Sequence, residues 1–574
     1  MSKHTIQGGV SHRSLRTPSA IHCSVATHSW SAGRPDSSRS PQGSSTPLQK
    51  GYAMISYSSL STLFFFVSLI AAACLLRRHK SRSSRPLPPG PTPLPIVGNL
   101  LDMPTKRLGP AFRDMAKKYG DVVYLDILGQ PMIILNSYEA AVAILDGRSA
   151  NTSDRPPSLM AELSGYSWQF VLQGYTLAWR QRRKDFHGAF HPNAIIQFQP
   201  IHLRECRRFL QRLLVTPENF APLARHVFSA TIMDAVYGIR VAEQADPFVS
   251  LSEKVATTFS TIVVPGRYLV EVVPWLRYLP AWFPGAKFKR DALSWRSDVA
   301  AARDLSYDVS VEAMTQGMSR SSIVAALVEK TVQKEGHVSQ EDTERFRDVT
   351  GLAYLTGADT TLFSMQAFFL AMVQYPEAQK KAQEELDRVI GPERLPDFSD
   401  RDSLPYVNAV VKEIIRWHSV VPLGVSHRAI DEDEYKGYRI PAGSVIVPNA
   451  WAMSQDPVAY PEPEKFIPER FFKDGKVHVG SDCRDPEKFQ FGFGRRICPG
   501  RHFANDSLFL TVASVLHVFD IRPPLGGDGK QARVAPRIVT DYFLSYPEPF
   551  QCRITPRSAR AETLIKTAGQ TESE

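Results

Sequence analysis

Phe491-Gly-Phe-Gly-Arg-Arg-Ile-Cys-Pro-Gly500 sets a single cysteine among glycines, just before an apolar helical run, Phe503–Phe519. Glycine lets a backbone fold tightly and approach a large flat ligand. N–H groups at a helix start have no partners within the helix, and here they would point at the sulfur and favour its thiolate. A thiolate so placed can serve as axial ligand to a haem iron, pushing electron density onto the metal. A buried inert cysteine would need no flanking glycines. A dinucleotide-binding loop would require glycine where Ile497 stands, because the Gly492-x-Gly494 start is not completed.

Phe491, Gly494, Arg496, Cys498 and Gly500 coincide with the F-x-x-G-x-R-x-C-x-G haem loop of the cytochromes P450, and the chain resembles that family. Further segments follow in family order. Glu413-Ile-Ile-Arg416 places a carboxylate and a guanidinium on one helical face. Alone, such a pair is worth under about 1 kcal/mol at a surface. Phe466-Ile-Pro-Glu-Arg470-Phe follows it, and the resemblance implies that Glu413, Arg416 and Arg470 form a structural ion-pair triad under the haem loop. Trp179-Arg-Gln-Arg-Arg183 resembles the family's W-x-x-x-R, with both residues on one helical face. By resemblance, Trp179 and Arg183 reach one haem propionate, His427 reaches the second, and Arg496 joins them. Arg180 and Arg182 read as solvated or as part of a basic partner surface, and Arg428 competes with His427 for its role.

Thr356-Gly-Ala-Asp-Thr-Thr361 resembles [AG]-G-x-[DE]-T-[TS]. Glycine inside a helix costs about 1 kcal/mol against alanine, and threonine hydroxyls bond back to the preceding turn. Together they suggest a locally opened helix that admits O2 and water. The resemblance implies Asp359 and Thr360 as the catalytic acid–alcohol pair relaying protons. Thr356 departs from the family's Ala or Gly and would narrow the space there or bond the substrate.

These residues must be carried by a mainly α body with small β-sheets. Asp348–Tyr375 and Pro376–Ile390 read as helices, and Val122–Leu128, Met132–Leu135 and Tyr435–Ile446 as β-rich pieces. The family fold, a cytochrome P450 fold behind an N-terminal transmembrane helix, is implied for residues 96–556, with a polar tail over 557–574. Thr257–Phe288, rich in Val, Trp, Phe and Pro, reads equally as core or, by the resemblance, as a lid over the pocket that dips toward a membrane; Phe170 and Asp541–Tyr546 are further candidates for pocket lining.

The chain has 574 residues and a formal charge of +10, with 43% hydrophobic and 22% charged residues, the composition of a folded protein. Six cysteines are too few for a disulfide scaffold. Residues 1–85 hold eleven basic residues and one acid, leaving 57 of each sign from Pro86 onward. The body is charge-balanced, so no nucleic-acid partner is expected. Residues 1–51, with twelve serines in the first fifty, read as a disordered basic leader. Residues 52–76 carry no charge, and roughly 20 residues cross a bilayer core, so they read as a transmembrane anchor. The basic flank Arg77, Arg78, Lys80, Arg82, Arg85 would stay cytosolic. Residues 77–95, with six prolines over 86–95, read as a stiff hinge. Met54 is an alternative start.

The expectation is a haem b-containing monooxygenase that inserts one oxygen atom of O2 into a lipophilic small molecule. It resembles microsomal fungal P450s of secondary metabolism, the group that includes tryptamine 4-monooxygenase and the O-methylsterigmatocystin oxidoreductases. Implied partners are NADPH–cytochrome P450 reductase, which brings in NADPH indirectly, and cytochrome b5. Implied location is the endoplasmic reticulum membrane, with a mitochondrial membrane as the alternative suggested by the Arg- and Ser-rich leader. Rival readings are a P450-fold isomerase, dehydratase or peroxygenase independent of reductase, and a non-catalytic haem-binding membrane protein.

Overall fold

The computed structural model describes residues 85–568 except Pro265 and Ser481. The expected leader, the anchor and the start of the hinge lie outside the described residues. Among the described residues no helix is long and apolar enough to cross a membrane.

The body is mainly helical. In chain order the elements that build the site begin with α1 (Leu108–Tyr119) and the hairpin β1 (Val122–Ile127) and β2 (Gln130–Leu135). There follow α2 (Leu177–Phe190), α3 (Gln199–Val215), α4 (Phe220–Tyr237), α5 (Pro247–Ile262), α6 (Lys287–Thr315) and α7 (Gln340–Gln374). Next come α8 (Pro376–Val389), α9 (Pro405–Trp417), and strands β3 (His427–Arg428), β4 (Asp433–Tyr435), β5 (Tyr438–Ile440) and β6 (Val445–Pro448). The chain closes with α10 (Arg501–Val518) and α11 (Ala559–Thr567).

The four-stranded sheet runs β1-β2-β6-β3. Leu128 and Gly129 turn the first hairpin with φ of 52° and 87°, so the strand ends at Ile127, one residue before the expected boundary. β6 lies parallel to β2 and antiparallel to β3, with His427 opposite Ile446.

α7 crosses the middle of the fold. Its start is fixed by a capping box, Ser339 with Asp342, and it stops at Tyr375, where Pro376 forbids continuation. It packs against α4, α6, α2 and α10. Leu362, Met365, Phe368, Phe369 and Met372 share one apolar core with Leu508, Phe509, Val512 and Leu516 of α10. Leu355 and Ala358 share a second with Trp179, Phe190 and Phe503. The helix is unbroken through Gly357, where the sequence pattern suggested an opening. The hydroxyls of Thr356, Thr360 and Thr361 each donate to the carbonyl four residues back, at 2.7, 2.9 and 3.1 Å, while the helix assignment continues.

The proline-rich segment is not a free spacer where it is described. Tyr124 N–H donates to the Pro89 carbonyl and Arg439 N–H to that of Pro86, both bonds that proline leaves open as acceptors. Nor is 557–574 only a polar tail. Ala561 and Ile565, one turn apart in α11, are buried in the main core.

Candidate active site around Cys498

The cysteine loop is held by its own backbone and by glycine. Cys498 N–H donates to the Phe491 carbonyl at 2.7 Å. Gly494 has φ 54°, its N–H bonds the Asp146 carboxylate, and an added Cβ would lie 2.4 Å from the Leu145 carbonyl oxygen. No side chain fits there. Gly500 precedes α10, and nothing lies within 4 Å of where its Cβ would stand. Cys498 is half-buried. Burial raises its thiol pKa, opposed by N–H groups of Gly500 and Arg501 and by the charges of Arg183 and Arg501. Those donors and cations favour a thiolate, yet without a bound cation desolvation prevails.

Around the loop the interior holds positive charge. Arg496 is buried, with Nε 2.7 Å from the Ser153 carbonyl and Nη2 2.7 Å from that of Gln173, and its guanidinium stacks 4.0 Å above the Trp179 ring. Burial pushes its pKa down to about 9, with Arg183 adding to the drop and Asp154 opposing it. Arg183 Nη2 donates to the Ile497 carbonyl at 2.6 Å, one residue from the cysteine. Arg155 is buried too, donating to the carbonyls of Val171, Val425 and Ser426. Its pKa lies well below the ordinary value, through burial and then repulsion from Arg496. His427 is buried and Nδ1 lies 2.8 Å from the Thr152 carbonyl; because that oxygen can only accept, Nδ1 carries the hydrogen. Burial, then Arg155, pushes its pKa far down, so the ring is neutral. The carboxylate acting on this group, Asp154, is itself tied to Arg428 at 2.9 Å, which places Arg428 outward and His427 inward.

Buried charge without a counter-charge is costly. Three guanidiniums bonded to neutral carbonyls, with the buried Ser153 hydroxyl lacking any partner, are a donor set built for an anion that is not protein. The carboxylates of a haem fit it, and Cys498 beside Arg183 fits the iron. Among the described residues no cluster of three or more His, Cys, Asp or Glu could hold a metal ion alone. A metal whose remaining ligands belong to its own ring suits a lone cysteine.

Glu413 and Arg416 are fully buried and paired twice at 2.7 Å. Arg416 also donates to the Ser454, Pro463 and Lys465 carbonyls, and Arg470 Nε lies 3.5 Å from Glu413. Ile467 N–H donates to Glu413 at 2.8 Å. The three side chains thus tie α9 to the segment leading to the cysteine loop.

Asp359 and Thr360 border a cavity, lined also by Gln169, Val255, Phe259, Thr356, Phe543 and Leu544. The two are neighbours in sequence with separate partners: Thr360 hydroxyl bonds Thr356 oxygen, whereas Asp359 is ion-paired with Arg225 of α4. Burial raises the Asp359 pKa and Arg225 holds it back. Phe170 packs on Phe186 instead.

Arg155, Arg225 and Gln169 escaped the sequence reading. Arg225 left the clearest trace, as a cation inside the apolar run of α4; Arg155, before Pro156-Pro157, belongs to no spacing pattern.

Comparison with known proteins supplies what geometry alone leaves unnamed. The family model described as Cytochrome P450 matches residues 88–541. The chain is 39% identical to cytochrome P450 monooxygenase COX2 of Coprinopsis cinerea over 85% of its length and 92% of that protein. It is 39% identical to cytochrome P450 monooxygenase ple1 of Rhodocybe pseudopiperita, over 84% and 91%. Against tryptamine 4-monooxygenase of Psilocybe cyanescens it is 36% identical over 86% and 98%. With the cysteine loop, its cations and the helical body all inside the matched span, the chain belongs to the cytochrome P450 family and is a monooxygenase of it.

Proposed function

We propose that this monooxygenase inserts one oxygen atom of O2 into a lipophilic small molecule, with electrons delivered by a separate NADPH–P450 reductase. The observation that carries the reading is the set of cations, Arg155 and Arg496 buried and Arg183 half-buried, converging beside Cys498 with no free carboxylate among them. When bound, haem b supplies the O2 activation and oxygen transfer. Cys498 would ligate its iron as thiolate, and Arg155, Arg183, Arg496 and His427 would hold its carboxylates, with the Trp179 ring stacked on Arg496. His427 spends Nδ1–H on Thr152, which leaves Nε2 as the nitrogen that would face a carboxylate.

Asp359 and Thr360 move protons on the cavity side. Asp359 is buried, which raises its pKa, and Arg225 holds that rise back, so the pair sets how readily the carboxyl exchanges a proton. Its apolar neighbours exclude bulk water from the same space. Glu413, Arg416 and Arg470 act as scaffold.

A rim of Arg180, Lys184 and Arg495 lies exposed near the cysteine loop, with Arg180 and Arg495 both stacked on Tyr175 at 4.6 and 5.3 Å. It suits an acidic electron donor. Leu269, Trp275, Tyr278 and Trp282, following cavity-lining α5, are all at least 60% exposed. That aromatic patch fits the interfacial zone of a membrane, in keeping with an endoplasmic reticulum location and an anchor over 52–76.

Reduced-CO difference spectra, paired with NADPH-driven turnover in the presence of reductase, test the reading. A thiolate-type CO band with reductase-dependent product is expected. The band without turnover would favour a haem-binding role, and turnover indifferent to reductase would favour an isomerase or peroxygenase. Cys498→Ala that kept the band would sink the ligand assignment.

A further inference from the structure

Of the 14 residues of α2, Trp179, Phe186 and Phe190 are the buried ones. The helix also carries Arg180, Arg182, Arg183 and Lys184 against one acid, Asp185. Apolar burial is a thin hold on such a helix, and its like charges repel. Its side chains divide among three faces at helical spacing. Arg180 and Lys184 are exposed. Trp179 and Arg183 face the cysteine loop, through Arg496 and the Ile497 carbonyl.

The third face turns to α7. Arg182, expected in solvent or on a partner surface, points inward instead, with Nε and Nη2 both 2.7 Å from Asp348. Asp185 meets Arg345 at 2.7 Å. The two ties flank Arg183 and have opposite polarity, which fixes the register. A slip of one turn would set Arg182 against Arg345, or in the other direction Asp185 against Asp348, like charge against like.

Asp348 is the anchor of this seam. It is 2% exposed, and its second oxygen accepts from Arg303 of α6 at 2.7 Å. One turn on, Gly351 permits the close approach: a Cβ there would lie 3.1 Å from the Trp168 ring and 3.4 Å from Arg303 Cα. A carboxylate buried between guanidiniums of two other helices differs from a surface pair, because removing one partner strands a charge.

We propose that Asp348 is a positioning residue, which through Arg182 sets the register of α2 on α7 and so holds Arg183 at the cysteine loop for a haem carboxylate. This rests on the haem reading for what Arg183 binds, and adds a residue outside the site that governs it.

The test uses the full-length, haem-loaded ferric protein. Resonance Raman scattering follows the carboxylate-bending band of the haem, which responds to hydrogen bonding there. Transfer of haem to excess apomyoglobin gives its release rate. Asp348→Asn and Arg182→Gln should each move the band in the same direction as Arg183→Gln. Each should speed release about tenfold, the scale of one charge-assisted hydrogen bond. The double variant should go no further than the single ones, since both break one tie. Arg182→Gln leaves Asp348 paired with Arg303, so it serves where Asp348→Asn folds poorly; the ferrous-CO band shows that each preparation is loaded. Arg303→Gln cuts the other arm of Asp348. It should lower the urea midpoint yet leave the band in place and release within about twofold, a distinction that a merely structural anchor would not draw.

Asp348 loses this role if Asp348→Asn and Arg182→Gln leave the band unmoved while Arg183→Gln shifts it, or if Arg303→Gln shifts it as far. A band unmoved by Arg183→Gln strikes the carboxylate role of Arg183, and the role of Asp348 with it. Neither readout needs turnover, so absence of NADPH-driven product counts against the monooxygenase reading alone.

Discussion

At the scale of single residues, the site is a set of charges whose partners decide what they can do. Asp359 is the sharpest case, a buried carboxyl whose raised pKa is opposed by one guanidinium. Removing that guanidinium, by Arg225→Met, leaves burial unopposed and raises the Asp359 pKa further. The ionised form then exists only at higher pH, so the acid limb of the kcat–pH profile should move upward. Asp359→Asn should lower kcat by about 10²-fold, within the usual range for a positioned acid–base group. An acid limb that stayed put in the Arg225 variant would show that Asp359 is not the titrating group. The residues legible from sequence were those whose chemistry lies within a few positions: ten contiguous residues carry Cys498, Gly494 and Arg496. Arg155, Arg225 and Gln169 carry no such mark. Each acquires its meaning from groups far along the chain, as when Arg155 bonds carbonyls at Val425 and Ser426.

At the scale of elements, two polar ties hold the helices that frame the loop. Glu413 joins α9 to Arg470 and to the Ile467 N–H, with no exposure. Glu413→Gln would leave two guanidiniums in the interior without their carboxylate, which costs about 3–5 kcal/mol. A fall of that size in urea-unfolding stability, with loss of bound haem, is expected; a change below 1 kcal/mol would mark the triad as dispensable. The second tie is His418 at the end of α9, whose Nε2 lies 3.0 Å from the Ser545 carbonyl. Burial lowers its pKa to about 4, against an ordinary value near 6.5. Its folded pKa is depressed, so its contribution is complete above the unfolded value and fades as pH falls from about 6.5 to 4. Two and a half units correspond to roughly 3 kcal/mol. His418→Gln, which can still donate to Ser545, should flatten stability over that window, as followed by unfolding at pH 7, 6, 5 and 4. A slope equal to wild type would assign acid lability elsewhere. Helix existence was readable from apolar period, but boundaries were not. α7 starts at Gln340, eight residues before the expected Asp348, because its first turns, Glu341 to Arg345, are polar and hide the period while Ser339 and Asp342 cap them.

At the scale of the molecule, the surplus charge lies in residues 1–85 and the body is balanced, so an electron donor has no global field to follow. It must meet a local face. Arg180→Glu with Lys184→Glu should raise the KM for reductase severalfold and flatten the salt dependence of turnover, with little change in the CO spectrum; unaltered salt dependence would place the donor on another face. The family fold was legible as class and motif order. The docking of Ile565 and of the proline segment was not, because short polar-flanked stretches show no period until a core receives them. The interior cations have one more consequence, which concerns supply. Arg155, Arg183 and Arg496 repel one another, and on the proposed reading carboxylates from outside the polypeptide relieve that repulsion. Whatever brings those carboxylates binds the folded chain alone, and its free concentration enters the folding equilibrium as a mass-action term. On the proposed reading the porphyrin is the last piece of the fold, and a cell short of it should accumulate less of this protein at the same rate of synthesis.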